Sequence, residues 1–549
     1  LEDDGLLAVL RLGTGLSLSG EELLDKGVRL PAYRALYLDS LLKEGPGIAF
    51  YRDQLFKAMV RGMKAVEDSD YAVPPVLQDV LRGYQKIGYR WLRTLDGWGF
   101  GGILADDMGL GKTVQVIALF ADEYREGKEV VEKSKPSLIV CPASLVYNWE
   151  NEFKKFAPGI RIRTIAGSAA QRREAFEALD KTEMPCQVLI TSYELLKRDM
   201  EHYQKMSFRF QVIDEAQFIK NASTQSARAV KAIRAQTRFA LTGTPVENRL
   251  SELWSIFDFL MPGFLFSYAK FKRSYETPIA KDGDREALAT LGRLTGPFVL
   301  RRLKADVLRE LPEKMEMEVY SKFKEKQKEL YMANAAKLKA ELEDGEHPAD
   351  KLQILAGLTR LRQLCCDPGL CYENYKGGSA KLETCIDLVR NGIQGGHKIL
   401  LFSQFTSMLA IIGKRLSAEE IPYYTLTGST PKEDRMQMVQ AFENGGVPVF
   451  LISLKAGGTG LNLTAADMVI HYDPWWNVAA QDQATDRAHR IGQEKQVTVF
   501  KLIMKGTIEE NILHLQGLKK HLADQIIARG TLDFASLGKE EILKLLEDG

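Results

Sequence analysis

The sequence predicts an α/β protein of two parallel-sheet lobes, with helical insertions between them and an N-terminal accessory segment. Three observations predict it. Short apolar runs alternate with helical patterns in two separate series. Each run ends in a loop carrying polar or glycine residues. A phosphate-loop sequence and an acidic pair each follow a run of the first series. Continuous apolar runs of strand length mark strands covered on both faces, as in parallel sheets.

The first series opens with GGILA (residues 101–105), which leads into a glycine-rich loop and a helix over 114–124. SLIVC (137–141) and a helix from Ser144 come next, followed by QVLIT (187–191), FQVID (210–214) and RFALT (238–242). The second series has KILLFS (398–403) and a helix from Phe405, then YYTLTG (423–428), VFLISL (449–454), MVIHYD (468–473) and VTVFKLI (497–503). RMQMVQAFE (435–443) reads as a helix between them. Ligands of open α/β sheets sit at the carboxyl ends of the strands, so the loops after these runs are the candidate sites. One large doubly wound domain is the alternative architecture, and the long interval between the series (261–381) speaks against it.

That interval contains a charged, helix-favouring stretch over 322–342, expected as exposed helices, and a turn at EDGEHPAD (343–350). The expected boundaries are an accessory segment at 1–75 and a first lobe at 76–310 with a helical protrusion after about 261. A second lobe at 311–525 carries a helical insertion at about 321–375, and a C-terminal helical tail fills 526–549. A length of 549 residues suits several domains. The chain begins at Leu1 rather than Met, which points to a piece of a longer protein.

Composition excludes some classes. Hydrophobic residues make up 45% and charged residues 27%, an ordinary globular balance. There is no apolar run of about eighteen residues to span a membrane and no leader-like start, so a cytoplasmic protein is expected. A net charge of +1 argues against a uniformly basic coat but leaves room for a basic cleft. The cluster Cys365, Cys366 and Cys371 lacks paired spacing and a histidine partner, which favours buried or free thiols over a zinc site.

The chemistry centres on DDMGLGKT (106–113). Glycines let backbone N–H groups close on a polyphosphate, Lys112 can reach the outer phosphates, and the Thr113 hydroxyl can ligate Mg²⁺. Asp106 stands where the strict pattern has its first glycine. About a hundred residues on, DEAQ (214–217) offers a metal-side carboxylate, Asp214, and a water-orienting one, Glu215. In the second series QATDRAHRIGQ (483–493) places Arg487 and Arg490 three apart, so on a helix they share one face suited to a transferring phosphoryl group. SLKAGGTGLNL (453–463) is a glycine-rich turn that permits close backbone approach to phosphate.

These residues, in this order, resemble the Swi/Snf family of helicase-like ATPases within helicase superfamily two. LRGYQKIGYRWL (81–92), DDMGLGKT, CPASLVYNWENEF (141–153), ITSYELL (190–196), DEAQFIKN (214–221) and LTGTPVENR (241–249) stand in family order. LRRLKADVLRELPEK (300–314), LTRLRQLCCDPGL (358–370), LFSQFT (401–406) and YDPWWN (472–477) continue it. An acidic residue at Asp106 is expected within the family. Val478 stands where proline is common, and Asp367 replaces a histidine common in chromatin-remodelling members. That replacement, the short insertion and the N-terminal piece look more like bacterial members, which favours bare DNA or a DNA-bound protein over histones.

The resemblance implies two RecA-like lobes, ATP with Mg²⁺ as cofactors, and hydrolysis that drives translocation on double-stranded DNA without strand separation. It implies nucleotide contacts from Gln85, the loop residues Asp107, Met108, Gly109, Leu110, Gly111, Lys112 and Thr113, and from Gly460 and Gln483. Catalysis falls to Lys112, Asp214, Glu215, Arg487 and Arg490, and Mg²⁺ to Thr113 and Asp214. Thr242 and Thr244 resemble the motif that couples ATP to nucleic acid. The implied DNA contacts are Ser144, Lys220, Arg249, Gln404, Lys455, Thr459 and Trp476, and Trp475 and Trp476 could equally pack the strand end. A monomer is expected, with double-stranded DNA and a DNA-bound protein such as RNA polymerase or a repair factor as partners. A strand-separating helicase and an ATP-gated scaffold are the alternatives.

Overall fold

A computed structural model describes residues 29–44, 51–125, 135–181, 186–243, 249–308, 314–343, 351–454, 462–475 and 478–514, with 13, 16 and 312. The chain divides into two compact units, the first Leu1–Asp107 with Gly111–Val307 and the second Leu308–Gly549, with which the short stretch Met108–Leu110 is grouped.

The first unit is built on a seven-stranded sheet: β1 (Gly102–Leu104), β2 (Ser137–Cys141), β3 (Ile162–Ile165), β4 (Val188–Ser192), β5 (Ser207–Asp214), β6 (Arg234–Leu241) and β7 (Val299–Leu300). Its order is β3-β4-β2-β5-β6-β1-β7, and every pairing is parallel. β2 and β4 are buried along their whole length, as strands covered on both faces must be. The helix Lys112–Glu123 is buried almost all round, which fits its run of Val, Ile, Leu and Phe. Ahead of this sheet lie the helices Arg34–Glu44 and Gln54–Lys64. Arg34 fastens the first of these to the lobe by donating to Phe264 O at 2.6 Å, with its guanidinium over the Phe266 ring.

The second unit has a six-stranded sheet: β8 (Lys314–Ser321), β9 (Ile399–Ser403), β10 (Tyr423–Leu426), β11 (Val449–Ser453), β12 (Met468–His471) and β13 (Val497–Met504). Its order is β10-β11-β9-β12-β13-β8, again wholly parallel. Alternation along each strand divides the core in two. Ile399, Leu401, Leu451 and Ile470 face one cluster, while Leu400, Phe402, Ile452 and Val469 face the other.

The fold class is the expected one, with differences at the sheet edges. β3, β7 and β8 were not expected, and β7 and β8 fall inside the interval read as a helical insertion. Edge strands do not need a continuous apolar run: β8 reads KMEMEVYS and leaves most of its side chains exposed. The helices expected from Ser144 and Phe405 begin at Val146 and Thr406.

The insertion's helices also differ from expectation. Glu325–Glu343 and Lys351–Cys366 are not simply exposed. Tyr331, Leu338 and Leu342 form a stripe that packs on Leu358, Leu361, Leu364 and Cys365, and on Met504, Ile508 and Ile512 beyond β13. Cys366 turns into the sheet's own core. The turn expected at 343–350 and the tail at 526–549 lie outside the described residues, apart from Glu343, which ends its helix.

Candidate nucleotide-binding site and nucleic-acid interface

Strand order and register set the first-lobe site. Leu104 on β1 pairs with Leu241 on β6, and Leu241 pairs with Asp214 on β5. Three adjacent strands therefore end in one row, so the loops after them emerge side by side at the carboxyl edge. The phosphate-loop sequence follows β1, Thr242 follows β6, and Asp214 and Glu215 close β5.

In the loop, Gly109 (φ 85°) and Gly111 (φ 76°) adopt the left-handed conformation that side chains disfavour. Gly111 caps the helix Lys112–Glu123, whose N-terminal N–H groups and dipole favour an anion. The Lys112 ammonium donates to Asp106 O at 2.6 Å and Asp107 O at 3.3 Å. Thr113 sits half-buried on the first helical turn. Gln85 is buried in the first turn of the helix Gly83–Gly97, where its Oε1 accepts from Arg82 N at 2.9 Å. A Cβ added at Gly111 would lie 2.5 Å from Gln85 Nε2, so the expected base-reading residue stands directly against the phosphate loop.

The acidic pair is held by its own motif, by Thr242 and by Trp149, to which the sequence assigned no role. Asp214 accepts from Trp149 Nε1 at 2.9 Å through Oδ2, and from Glu215 N at 2.9 Å through Oδ1. Loss of solvation, reinforced by the neighbouring Glu215 charge, pushes its carboxyl up to about 7. Glu215 itself has φ 52°, a strained conformation for a non-glycine residue and one that clusters at functional sites. Gln217 donates to Glu215 Oε2 at 2.8 Å, and the Thr242 hydroxyl donates to Gln217 Oε1 at 3.2 Å. A hydrogen-bonded chain thus runs from Glu215 to the residue just after the next strand. Thr244 lies outside the described residues.

The arginine motif of the second unit departs from expectation. The helix Val478–Thr485 contains Gln483 but stops before both arginines, so Arg487 and Arg490 do not share a helical face. Arg487 N and Ala488 N reach only three residues back, to Ala484 O and Thr485 O. Tertiary bonds divert the carbonyls that would continue the helix. Leu463 N takes Arg487 O at 3.1 Å, and the Gln493 amide takes Ala488 O at 3.1 Å. Thr485 Oγ1 meets His471 Nε2 at 2.8 Å, and burial drives this imidazole down to about 3. Arg487 is buried in the resulting turn and Arg490 is half-buried beyond it.

The expected DNA-contact residues fall on strand-end loops. Ser144 lies between β2 and the helix Val146–Phe156, and its buried hydroxyl has no partner among the described residues. Lys220 ends the turn after Glu215, with its ammonium 4.0 Å from Glu252, and Arg249 is exposed at the head of the helix Leu250–Leu260. Gln404 follows β9, where its N–H donates to Asp473 Oδ1 at 3.3 Å and its Oε1 accepts from Arg362 at 3.0 Å. Trp475 packs against the second core face, 5.5 Å from the Arg362 guanidinium. Lys455, Thr459, Gly460 and Trp476 lie outside the described residues.

Two parallel-sheet lobes, a glycine-rich phosphate loop and an acidic pair in one row of strand ends define a P-loop nucleotide hydrolase of the helicase type. Comparison with known proteins gives the family. The SNF2-related domain matches residues 84–370, the helicase conserved C-terminal domain 380–492, and the bacterial SNF2 helicase associated domain 1–74. The chain belongs to the SNF2 family of helicase-like ATPases. It is 39% identical over 85% of its length to an uncharacterised ATP-dependent helicase of Mycoplasma genitalium, covering 44% of that protein. It is 40% identical over 88% of its length to a Bacillus subtilis protein named as an ATP-dependent helicase/translocase, YwqA, covering 52% of it. The chain thus spans about half the length of these relatives. A solved Sulfolobus solfataricus SWI2/SNF2 ATPase core in complex with dsDNA is 36% identical, covering 88% of this chain and 99% of that one, with a TM-score of 0.41.

Proposed function

We propose that the chain hydrolyses ATP and uses the cycle to track along double-stranded DNA without separating the strands, moving or remodelling protein bound there. The observation that carries this reading is the row of strand ends holding the phosphate loop, Thr242 and the Asp214–Glu215 pair. Lys112 exchanges the Asp106 and Asp107 carbonyls for the outer phosphates. Backbone N–H groups of residues 107–113 enclose the phosphates, and Gln85 reads the base. The family resemblance adds Gly460 and Gln483 to the nucleotide contacts.

The Thr113 hydroxyl and the Asp214 carboxylate suit Mg²⁺. Asp214 is a poorly solvated acid beside a second acid, an environment that a divalent cation relieves. When bound, the ion neutralises phosphate charge. Glu215, held by Gln217, orients the attacking water. Arg487 and Arg490 stabilise charge on the transferring phosphoryl group. The chain from Glu215 through Gln217 to Thr242 carries the nucleotide state towards the strand-end loops, with Thr244 in the same motif. Ser144, Lys220, Arg249, Gln404, Lys455, Thr459 and Trp476 hold backbone phosphates, which gives sequence-tolerant binding that weakens with salt. The name of the Bacillus subtilis relative, helicase/translocase, agrees with this reading. A monomer in the cytoplasm acting at the nucleoid, on a DNA-bound partner such as RNA polymerase or a repair factor, completes it.

ATP turnover without nucleic acid, with single strands and with duplex is the test. Duplex should stimulate most, and Glu215→Gln should lower stimulated turnover by about 10²- to 10⁴-fold, the usual worth of a positioned base. Greater stimulation by single strands, with strand displacement on a fork, would shift the reading to a strand-separating helicase. Stimulation by neither would favour a nucleotide-gated scaffold.

A further inference from the structure

The Asp106 carboxylate, at the head of the phosphate loop, takes no part in the mechanism above, which uses only that residue's backbone carbonyl. Asp106 is wholly enclosed, and both its oxygens face one guanidinium. Arg302 donates from Nε to Oδ1 at 2.8 Å and from Nη2 to Oδ2 at 2.5 Å. The same guanidinium donates from Nη1 to Tyr84 O and from Nη2 to Gln115 Oε1 at 2.8 Å. Its Cζ lies 5.2 Å from the Tyr84 ring centroid. Gln115 closes the ring by donating to Asp106 Oδ2 at 3.1 Å. Gly88 leaves the room for this assembly, since a Cβ there would fall 1.8 Å from Gln115 Oε1 and 2.8 Å from Arg302 Nη2.

Three segments meet on Arg302: the base-reading helix start at Tyr84 and Gln85, the phosphate loop with its helix, and the stretch by which the chain leaves the first unit at Val307. Backbone bonds repeat the connection. Ala105 N bonds to Leu300 O at 2.7 Å, Asp107 N to Arg302 O at 3.0 Å, and Lys304 N to Asp107 Oδ2 at 3.0 Å. A shift at either end of the nucleotide pocket therefore moves a partner of Arg302. The planar fork of arginine takes both oxygens of a carboxylate and two further acceptors at once, four contacts where a lysine ammonium has three donors.

We propose that Arg302 is a positioning residue for the nucleotide. Through Asp106 and the Tyr84 carbonyl it fixes the base-reading segment against the phosphate loop, and it reports that spacing to the segment leaving the first lobe. The proposal deepens the ATP reading above and rests on it.

The test compares the full chain with Arg302→Gln and Arg302→Lys. The readouts are KM and kcat for ATP and GTP on duplex DNA, and hydrogen–deuterium exchange of residues 300–307 with and without ADP. Arg302→Gln should raise KM for ATP about tenfold, the scale of one charge-assisted hydrogen bond, with a smaller change in kcat and a narrowed preference for ATP over GTP. Arg302→Lys, which keeps the charge but not the fork, should fall between. ADP should slow exchange at 300–307 in the parent chain and not in Arg302→Gln. A KM within about twofold of the parent, with base preference intact, overturns the proposal even if Tm falls, because a structural strap alone would do that. Should Arg302→Gln not fold, Arg302→Lys is judged by the same criterion. Lys112→Ala separates the two failures. Turnover that survives its loss sinks the ATP reading, whereas parental KM in the Arg302 variants with Lys112→Ala inactive sinks the positioning role alone.

Discussion

Both lobes place a buried aspartate just beyond a strand end beside an arginine from a distant segment, yet the two pairs are built differently. In the first lobe, Asp106 takes the Arg302 fork directly, at 2.8 and 2.5 Å. In the second, the Arg362 guanidinium stands 3.6 Å from Asp473. Asp473 is served instead by the Ser403 hydroxyl at 2.5 Å and by Gln404 N. Arg362 gives its short bonds to neutral acceptors, Pro474 O at 2.6 Å and Gln404 Oε1 at 3.0 Å. Burial pushes the Asp473 carboxyl up and the Arg362 guanidinium down. The first pair works as an ion pair across which the charge must be kept. The second is a hydrogen-bond frame, in which the arginine holds the loops after β9 and β12 in place for Gln404.

The largest expected effect comes from breaking the first pair. Asp106→Asn keeps the shape of the side chain but leaves Arg302 facing an amide in an enclosed site. Urea denaturation of the full chain should show a loss of about 3–5 kcal/mol, the usual cost of stripping one partner from a buried pair. A loss below about 1 kcal/mol would mean that Gln115 and the Tyr84 carbonyl already satisfy Arg302, and the two lobes would then use the same device.

The same contrast shows what the sequence could convey. Central strands such as β2 and β11 announce themselves by continuous apolar runs, because both their faces are buried. β3, β7 and β8 stand on the outer positions of their sheets and carry no such run. The phosphate loop is local, so its residues could be named from eight consecutive letters. The partners that fix the site are not local: Arg302 meets Asp106 across 196 residues and Trp149 meets Asp214 across 65. Asp106, standing where the strict pattern has its first glycine, was legible in the sequence, but the arginine it meets was not. For Arg487 and Arg490 the spacing suggested a helical face, but tertiary demand on the backbone carbonyls ended the helix first. No local pattern carries that information.

An intermediate effect sharpens the difference in acid response. His471, on β12, lies against Thr485 and stacks on Phe402. Burial holds it neutral down to about 3, with Lys501 and Lys314 acting in the same direction and Glu316 opposing them. Its folded value is depressed, so the unfolded chain takes up the proton first. Its contribution is complete above about 6.5 and is lost as the pH falls towards 3. Between pH 7.5 and 5 the parent chain should lose about 2 kcal/mol more than His471→Gln in urea denaturation. Parallel pH profiles would show that the imidazole titrates as freely as in the unfolded chain. Asp473 has the opposite sign, since its raised folded value stabilises at low pH and that gain fades as the pH rises. Subtracting the His471→Gln profile keeps the two apart.

The smallest expected effect returns to the second pair. Asp473→Asn removes a carboxylate whose charge burial already penalises. Asparagine can still accept from the Ser403 hydroxyl and Gln404 N, and Arg362 keeps the Pro474 and Gln404 oxygens. Stability should fall by about 1 kcal/mol, the worth of one ordinary hydrogen bond, several times less than for Asp106→Asn. Affinity for duplex DNA should stay within about twofold, because Arg362 rather than Asp473 holds the Gln404 side chain. If Asp473→Asn instead cost as much as Asp106→Asn, the 3.6 Å separation would be hiding a full ion pair, and Arg362 would be held by charge and not by the neutral oxygens around it.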